Sequence, residues 1–142
     1  MTQLEDWLIV GFGIIIGLLL LIATQGEAAG LTASFYSTEA CAFNKHPRCP
    51  TASGKSLYDL EAQQVPFAAS WDYPLGTWIT VCHALHPGRC VRVVVEDRGP
   101  AKRLVKQGRV IDLSKQAFLA LDPSLKAGIV PIRIVQEAPV AQ

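Results

Sequence analysis

Apolar positions in this chain fall into two regimes. Trp7 to Ala23 is one continuous run without a charge. Beyond Thr32 they come in short bursts, broken by Gly, Pro, Asn and Asp. The bursts are too short for helices of ordinary length and read as strands. They predict strands at Thr32–Ser37, Val65–Ala69, Trp78–Cys82, Cys90–Glu96, Val110–Asp112 and Val130–Gln136. Trp78–Cys82 and Cys90–Glu96 pair as a hairpin whose tip carries Pro87-Gly88. Trp78 is expected to start an inward-facing alternation. Ser114 to Leu121 keeps Ala117, Phe118 and Leu121 on one helical face, and Asp122-Pro123 ends it. Thr38 to Gly54 shows neither period, and Lys102 to Gly108 reads as a basic loop. The pattern predicts an all-β barrel or sandwich with one or two short helices.

The leading run sets the organisation. Its 17 residues sit at the short end of a membrane-spanning helix, which needs roughly 17–25. Glu5 and Asp6 precede it and no base does, while Gly26-Glu27-Ala28-Ala29 offers a small-residue cleavage site. A cleaved signal peptide and a retained membrane anchor both fit. Either predicts export to the periplasm or cell envelope. The expected division is a leader at 1–29, a domain at 30–136 and a loose tail at 137–142.

Cysteine usage agrees with export. Cys41 and Cys49 make one local pair, Cys82 and Cys90 another, which predicts two disulfides in an oxidising compartment. Cys82-His83-x-x-His86-x-x-x-Cys90 could instead hold zinc, the weaker alternative, since structural zinc ligands usually come in separated pairs. No metal or cofactor is expected. Charge changes once the leader is set aside. The chain has 13 Lys and Arg against 12 Asp and Glu, and Glu5, Asp6 and Glu27 lie in the leader, so the rest carries +4. A mildly basic exported domain suits an anionic wall polymer, though ordinary solubility explains the charge equally well. Nucleic acid is not an expected partner.

Candidate chemistry gathers where strands end. Val91 to Val95 runs into Asp97-Arg98-Gly99-Pro100, which delivers a carboxylate to a rim and then turns the backbone. The bland role for Asp97 is to accept backbone N–H groups at that turn. Asp112 ends the next apolar run, and either it or Ser114 can cap the following helix. Tyr36, Trp71 and Tyr73 could stack on sugar rings, a role for which Trp78 is the weaker candidate. Arg98, Lys102, Arg103, Lys106 and Arg109 form a basic cluster.

Six motifs in order resemble the rare-lipoprotein-A-like family, related to expansins. They are Ala33-Ser34-Phe35-Tyr36, Thr51-Ala52-Ser53-Gly54, Phe67-Ala68-Ala69, Pro74-Leu75-Gly76-Thr77, Asp97-Arg98-Gly99-Pro100 and Arg109-Val110-Ile111-Asp112-Leu113-Ser114. The resemblance covers Gly30 to Val135. It implies a six-stranded double-psi β-barrel binding peptidoglycan glycan strands. In some members it also implies lytic transglycosylase cleavage to a 1,6-anhydromuramoyl product. Asp97 matches the family's catalytic acid, and Asp112 an acid of the expansin groove. The implied groove takes in Tyr36, Ser70, Trp71, Tyr73, Arg98 and Asp112. One departure stands out: active members carry histidine where this chain has Ser70, and a serine hydroxyl cannot carry a proton near neutral pH. His83 and His86 lie on the hairpin tip and are not expected to replace it. The alternative function is a non-catalytic, expansin-like polysaccharide-binding module. A small secreted inhibitor or effector is a weaker third reading.

Overall fold

The computed structural model describes residues 30–136. The leader and the tail expected at 1–29 and 137–142 lie outside the described residues. Six strands, β1 (Thr32–Tyr36), β2 (Phe67–Ser70), β3 (Trp78–His83), β4 (Cys90–Asp97), β5 (Arg109–Ser114) and β6 (Ile129–Gln136), close into a barrel in the order β1-β5-β2-β4-β3-β6. β1 runs parallel to β5 and β2 parallel to β4, while the other neighbours are antiparallel. This is the mixed barrel of the double-psi arrangement. Closure pairs the strand edges, which would otherwise invite association.

Alternation along the strands builds the interior. Ala33, Ala68, Ile79, Val81, Val93, Val95, Ile111 and Leu113 are sealed inside. One end of the barrel is plugged by Ala117, Phe118 and Leu121, on and just after helix α4 (Lys115–Leu119). Ser114 caps α4, its hydroxyl accepting the Ala117 N–H at 3.3 Å. Of the two candidate caps, Ser114 takes the role and Asp112 is left for other partners.

A second apolar cluster lies outside the barrel wall. Phe67 and Val94 point outward and are covered by Cys41, Cys49, Leu57 and Leu60. The covering segment is more helical than its sequence pattern predicts. It holds a 3-10 turn at Thr38–Ala40, α1 (Cys41–Asn44) and α2 (Leu57–Ala62). A further short helix, α3 (Lys102–Val105), replaces the expected basic loop. The described residues therefore carry four short α-helices rather than one or two. Helices of four to six residues have no stability of their own, so their periodicity is faint. Burial of Leu57 and Leu60, each contributing about 1.5–3 kcal/mol, is what holds α2.

Disulfides join Cys41 to Cys49 and Cys82 to Cys90, as expected. Cys82 and Cys90 are register partners at the hairpin neck. With both sulfurs bonded to each other they cannot serve as thiolate ligands, so the zinc alternative falls. Trp78 also departs from expectation. It pairs with Val94, whose side chain faces the outer cluster, so the indole lies outward and 38% exposed. The Arg92 guanidinium sits 4.7 Å from its ring centroid.

Candidate functional site

The site is built across four adjacent strands. Ala69 of β2 is the register partner of Asp112 on one side and Asp97 on the other, and Ser34 of β1 pairs with Asp112. Directly paired residues share a face, so Ser34, Asp112, Ala69 and Asp97 form one row on the outer wall. With neighbouring strands about 4.8 Å apart, the Asp97 and Asp112 backbones are roughly 10 Å apart.

A β-bulge puts Asp97 in that row. Ala68 pairs with Val95, but Ala69 pairs with Asp97, so Glu96 is the extra residue. Strict alternation from Val93 and Val95 would aim Asp97 into the barrel. The inserted residue reverses the phase and turns it outward. Glu96 itself is buried and meets the Lys55 ammonium at 2.6 Å.

Three segments converge on the Asp97 carboxylate. Oδ1 accepts the N–H of Arg98 at 2.8 Å and the N–H of Ala52 at 2.9 Å. Oδ2 accepts the Tyr36 hydroxyl at 3.3 Å. The Ala52 donor comes from the Thr51–Lys55 turn. That turn is held by a Ser53 N–H to the Glu96 carbonyl at 3.0 Å and by the Lys55–Glu96 pair. The motif Thr51-Ala52-Ser53-Gly54 was visible in sequence, but its chemistry is a backbone N–H, which no side-chain pattern reveals. Burial first, and the Asp97 carboxylate second, raise the Tyr36 phenol above its ordinary value, so it stays a donor. Tyr36, Pro50, Thr51 and Asp97 line a cavity of about 150 Å³.

The other expected site residues take different roles. Asp112 Oδ1 accepts Ser34 Oγ at 2.8 Å and Arg109 Nη2 at 2.9 Å. Gly99 lies beside Ala69 and the Asp112 carboxylate. Arg98 Nη1 donates to the carbonyls of Ser70 and Tyr73, each at 2.7 Å. Its guanidinium thus fastens the 70–73 turn to the Asp97 loop. Trp71 is 46% exposed, with Nε1 donating to the Pro100 carbonyl at 2.8 Å and the Lys102 ammonium 5.1 Å from its ring centroid. Tyr73 packs on the barrel core from the rim.

Ser70 is corrected. It pairs with Ile111, lies on the Ala68 side of β2 and is sealed from solvent. Its hydroxyl accepts the Asp72 N–H at 3.2 Å and shapes the turn. A direct sugar contact there is blocked. His83 and His86 meet edge-on at the hairpin tip, their ring centroids 4.7 Å apart. They lie past the start of β4 while Asp97 ends it, about 24 Å along the strand.

Among known families, the model described as lytic transglycolase matches residues 27–134. That is most of the chain, and the protein belongs to this family. No curated protein matches it.

Proposed function

We propose that this member of the lytic transglycolase family binds peptidoglycan glycan strands across the Asp97 face and cleaves them, with Asp97 as acid and then base. The observation that supports the reading is the mounting of Asp97: a bulge turns it outward, and three separate segments hold its carboxylate. Protonated Asp97 gives its proton to the glycosidic oxygen as the bond to muramoyl C1 breaks. The muramoyl 6-hydroxyl then closes onto C1, and its proton passes to the Asp97 carboxylate. Atoms balance without water, and the group is reset for another turn. Because the nucleophile belongs to the sugar, one carboxylate suffices. Trp71 supplies an exposed ring beside the loop, suited to a pyranose face. The two disulfides and the family fit work outside the cytoplasm.

Purified sacculi incubated with the protein should release 1,6-anhydromuropeptides, read by mass spectrometry. Asp97→Asn should reduce release at least 100-fold while sacculus binding persists, since the amide keeps the shape but carries no titrating proton. Undiminished release by Asp97→Asn would overturn the assignment. One observation favours a second reading, a non-catalytic binding module: Ser70 stands where active members carry histidine, and no histidine hydrogen-bonds Asp97 among the described residues. Sacculus binding with no anhydro product from wild type would select it.

A further inference from the structure

Among the described residues, Glu96 is the one buried carboxylate, and the reaction proposed above makes no use of it. Its side chain has a single partner among them, the ammonium of Lys55, a side chain that is itself 59% exposed. A carboxylate kept from water needs such a partner, and removing the lysine would leave the buried charge uncompensated. Glu96 is also the extra residue of the bulge and directly precedes Asp97 in β4.

The turn that carries Lys55 is closed on itself. The Thr51 N–H and the Thr51 hydroxyl both donate to the Lys55 carbonyl, at 2.8 and 2.9 Å, and the Gly54 N–H donates to the Thr51 carbonyl at 2.9 Å. A bridge between Pro50 and Ser56 ties its ends. So closed, the turn moves as a unit. Besides the Ala52 N–H, two polar contacts fasten it to β4, and both go to Glu96. The Ser53 N–H meets the Glu96 carbonyl at 3.0 Å, and Lys55 meets the Glu96 carboxylate at 2.6 Å. With the turn drawn in, Oδ1 of Asp97 is held by two N–H groups, those of Arg98 and Ala52, while Oδ2 meets the Tyr36 hydroxyl. Two donors on one oxygen fix the rotation of the carboxyl plane. Oδ2 keeps the spare capacity to carry a proton.

We propose that the Lys55–Glu96 pair is a positioning device for the acid. It draws the 51–55 turn onto β4, so that the Ala52 N–H holds Oδ1 of Asp97 and Oδ2 carries the proton given to the glycosidic oxygen. The proton transfer belongs to the lytic reading above; the placement of the Ala52 N–H does not depend on it.

The full-length protein is tested in the anhydromuropeptide assay. Lys55→Met should lower kcat roughly 10–100-fold, the scale of a displaced reacting group, with KM within about twofold. Lys55→Arg keeps the charge and should recover most of the rate. Glu96→Gln and the double variant should each lose as much as Lys55→Met and no more, because the two side chains act as one unit. Amide NMR adds a readout independent of turnover. In Lys55→Met the Ala52 amide proton should move upfield as its bond to Asp97 lengthens, while those of Val93 and Ile111 in the barrel stay in place. A lower melting temperature with kcat and the Ala52 shift unchanged would make the pair merely structural and overturn the proposal. Losses that add in the double variant would overturn it too. If wild type releases no product, the lytic reading falls and the Ala52 amide decides the rest. Its shift in Lys55→Met then upholds the pair's hold on Asp97, and an unmoved amide overturns it.

Discussion

Asp97 draws its donors from its own loop, from the 51–55 turn and from the end of β1. The Tyr36 hydroxyl is the one side chain among them. Removing it leaves the ring, and so the packing on Phe67, in place. A hydrogen bond to a charged group contributes about 1.5–3 kcal/mol, roughly 10–150-fold in rate when its whole effect falls on the reacting state. Tyr36→Phe should therefore slow anhydromuropeptide release by at least about 10-fold, with affinity for sacculi unchanged and melting temperature within a few degrees. A loss confined to affinity would instead make Tyr36 a sugar platform. Trp71 makes the opposite prediction. Its ring is exposed, so Trp71→Ala should weaken sacculus retention by about 1 kcal/mol, roughly fivefold, before it affects turnover.

At the scale of elements, two devices set the site. The bulge in β4 aims Asp97, and the Cys41–Cys49 bridge anchors the segment that leads into Thr51 and Ala52. The Cys82–Cys90 bridge pins the far end of β4. Both bridges span eight residues, so both should contribute similar stability, about 2–3 kcal/mol in urea unfolding. Their effects on turnover should differ. Paired Cys→Ala changes at Cys41 and Cys49 should lower product release several-fold under conditions where the protein stays folded. The same change at Cys82 and Cys90 should leave release near wild type. Equal losses would mean that the bridge near Thr51 does not help position the Ala52 N–H.

For the molecule as a whole, Asp97 stands at one end of β4 and a histidine pair lies past the other. Burial, with the neighbouring His86 and Arg89, lowers the His83 pKa, and Asp122 opposes this weakly. The folded state thus favours neutral His83, while the unfolded chain takes up its proton near pH 6.5. The unfolded state binds more protons between the two values. Stability is full above the unfolded value and is lost as pH falls toward the folded one. Urea midpoints should decline from pH 7.5 to pH 5.5, and His83→Gln should flatten that part of the decline. An unchanged slope in the variant would remove His83 as its cause.

Much of this was legible in the chain because it is written in local pattern. Val91, Val93 and Val95 mark a strand by alternation, Ser114 marks a helix start by its hydroxyl, and cysteines in two close pairs mark their own partners. Asp97 stood out because an apolar strand ending in an acid and a Gly-Pro break is a local signal too. The rest depended on residues distant in sequence. Helix α2 is too short to show a period and exists because Leu57 and Leu60 cover Phe67 and Val94. Trp78 faces outward because of its pairing with Val94. Ser70 is sealed because it shares the inward face of β2 with Ala68 and pairs with the core residue Ile111. The orientation of Asp97 itself was decided by one unmatched residue between two parallel strands. A strand's own alternation fixes which residues share a face, but only its neighbours decide where that alternation is broken.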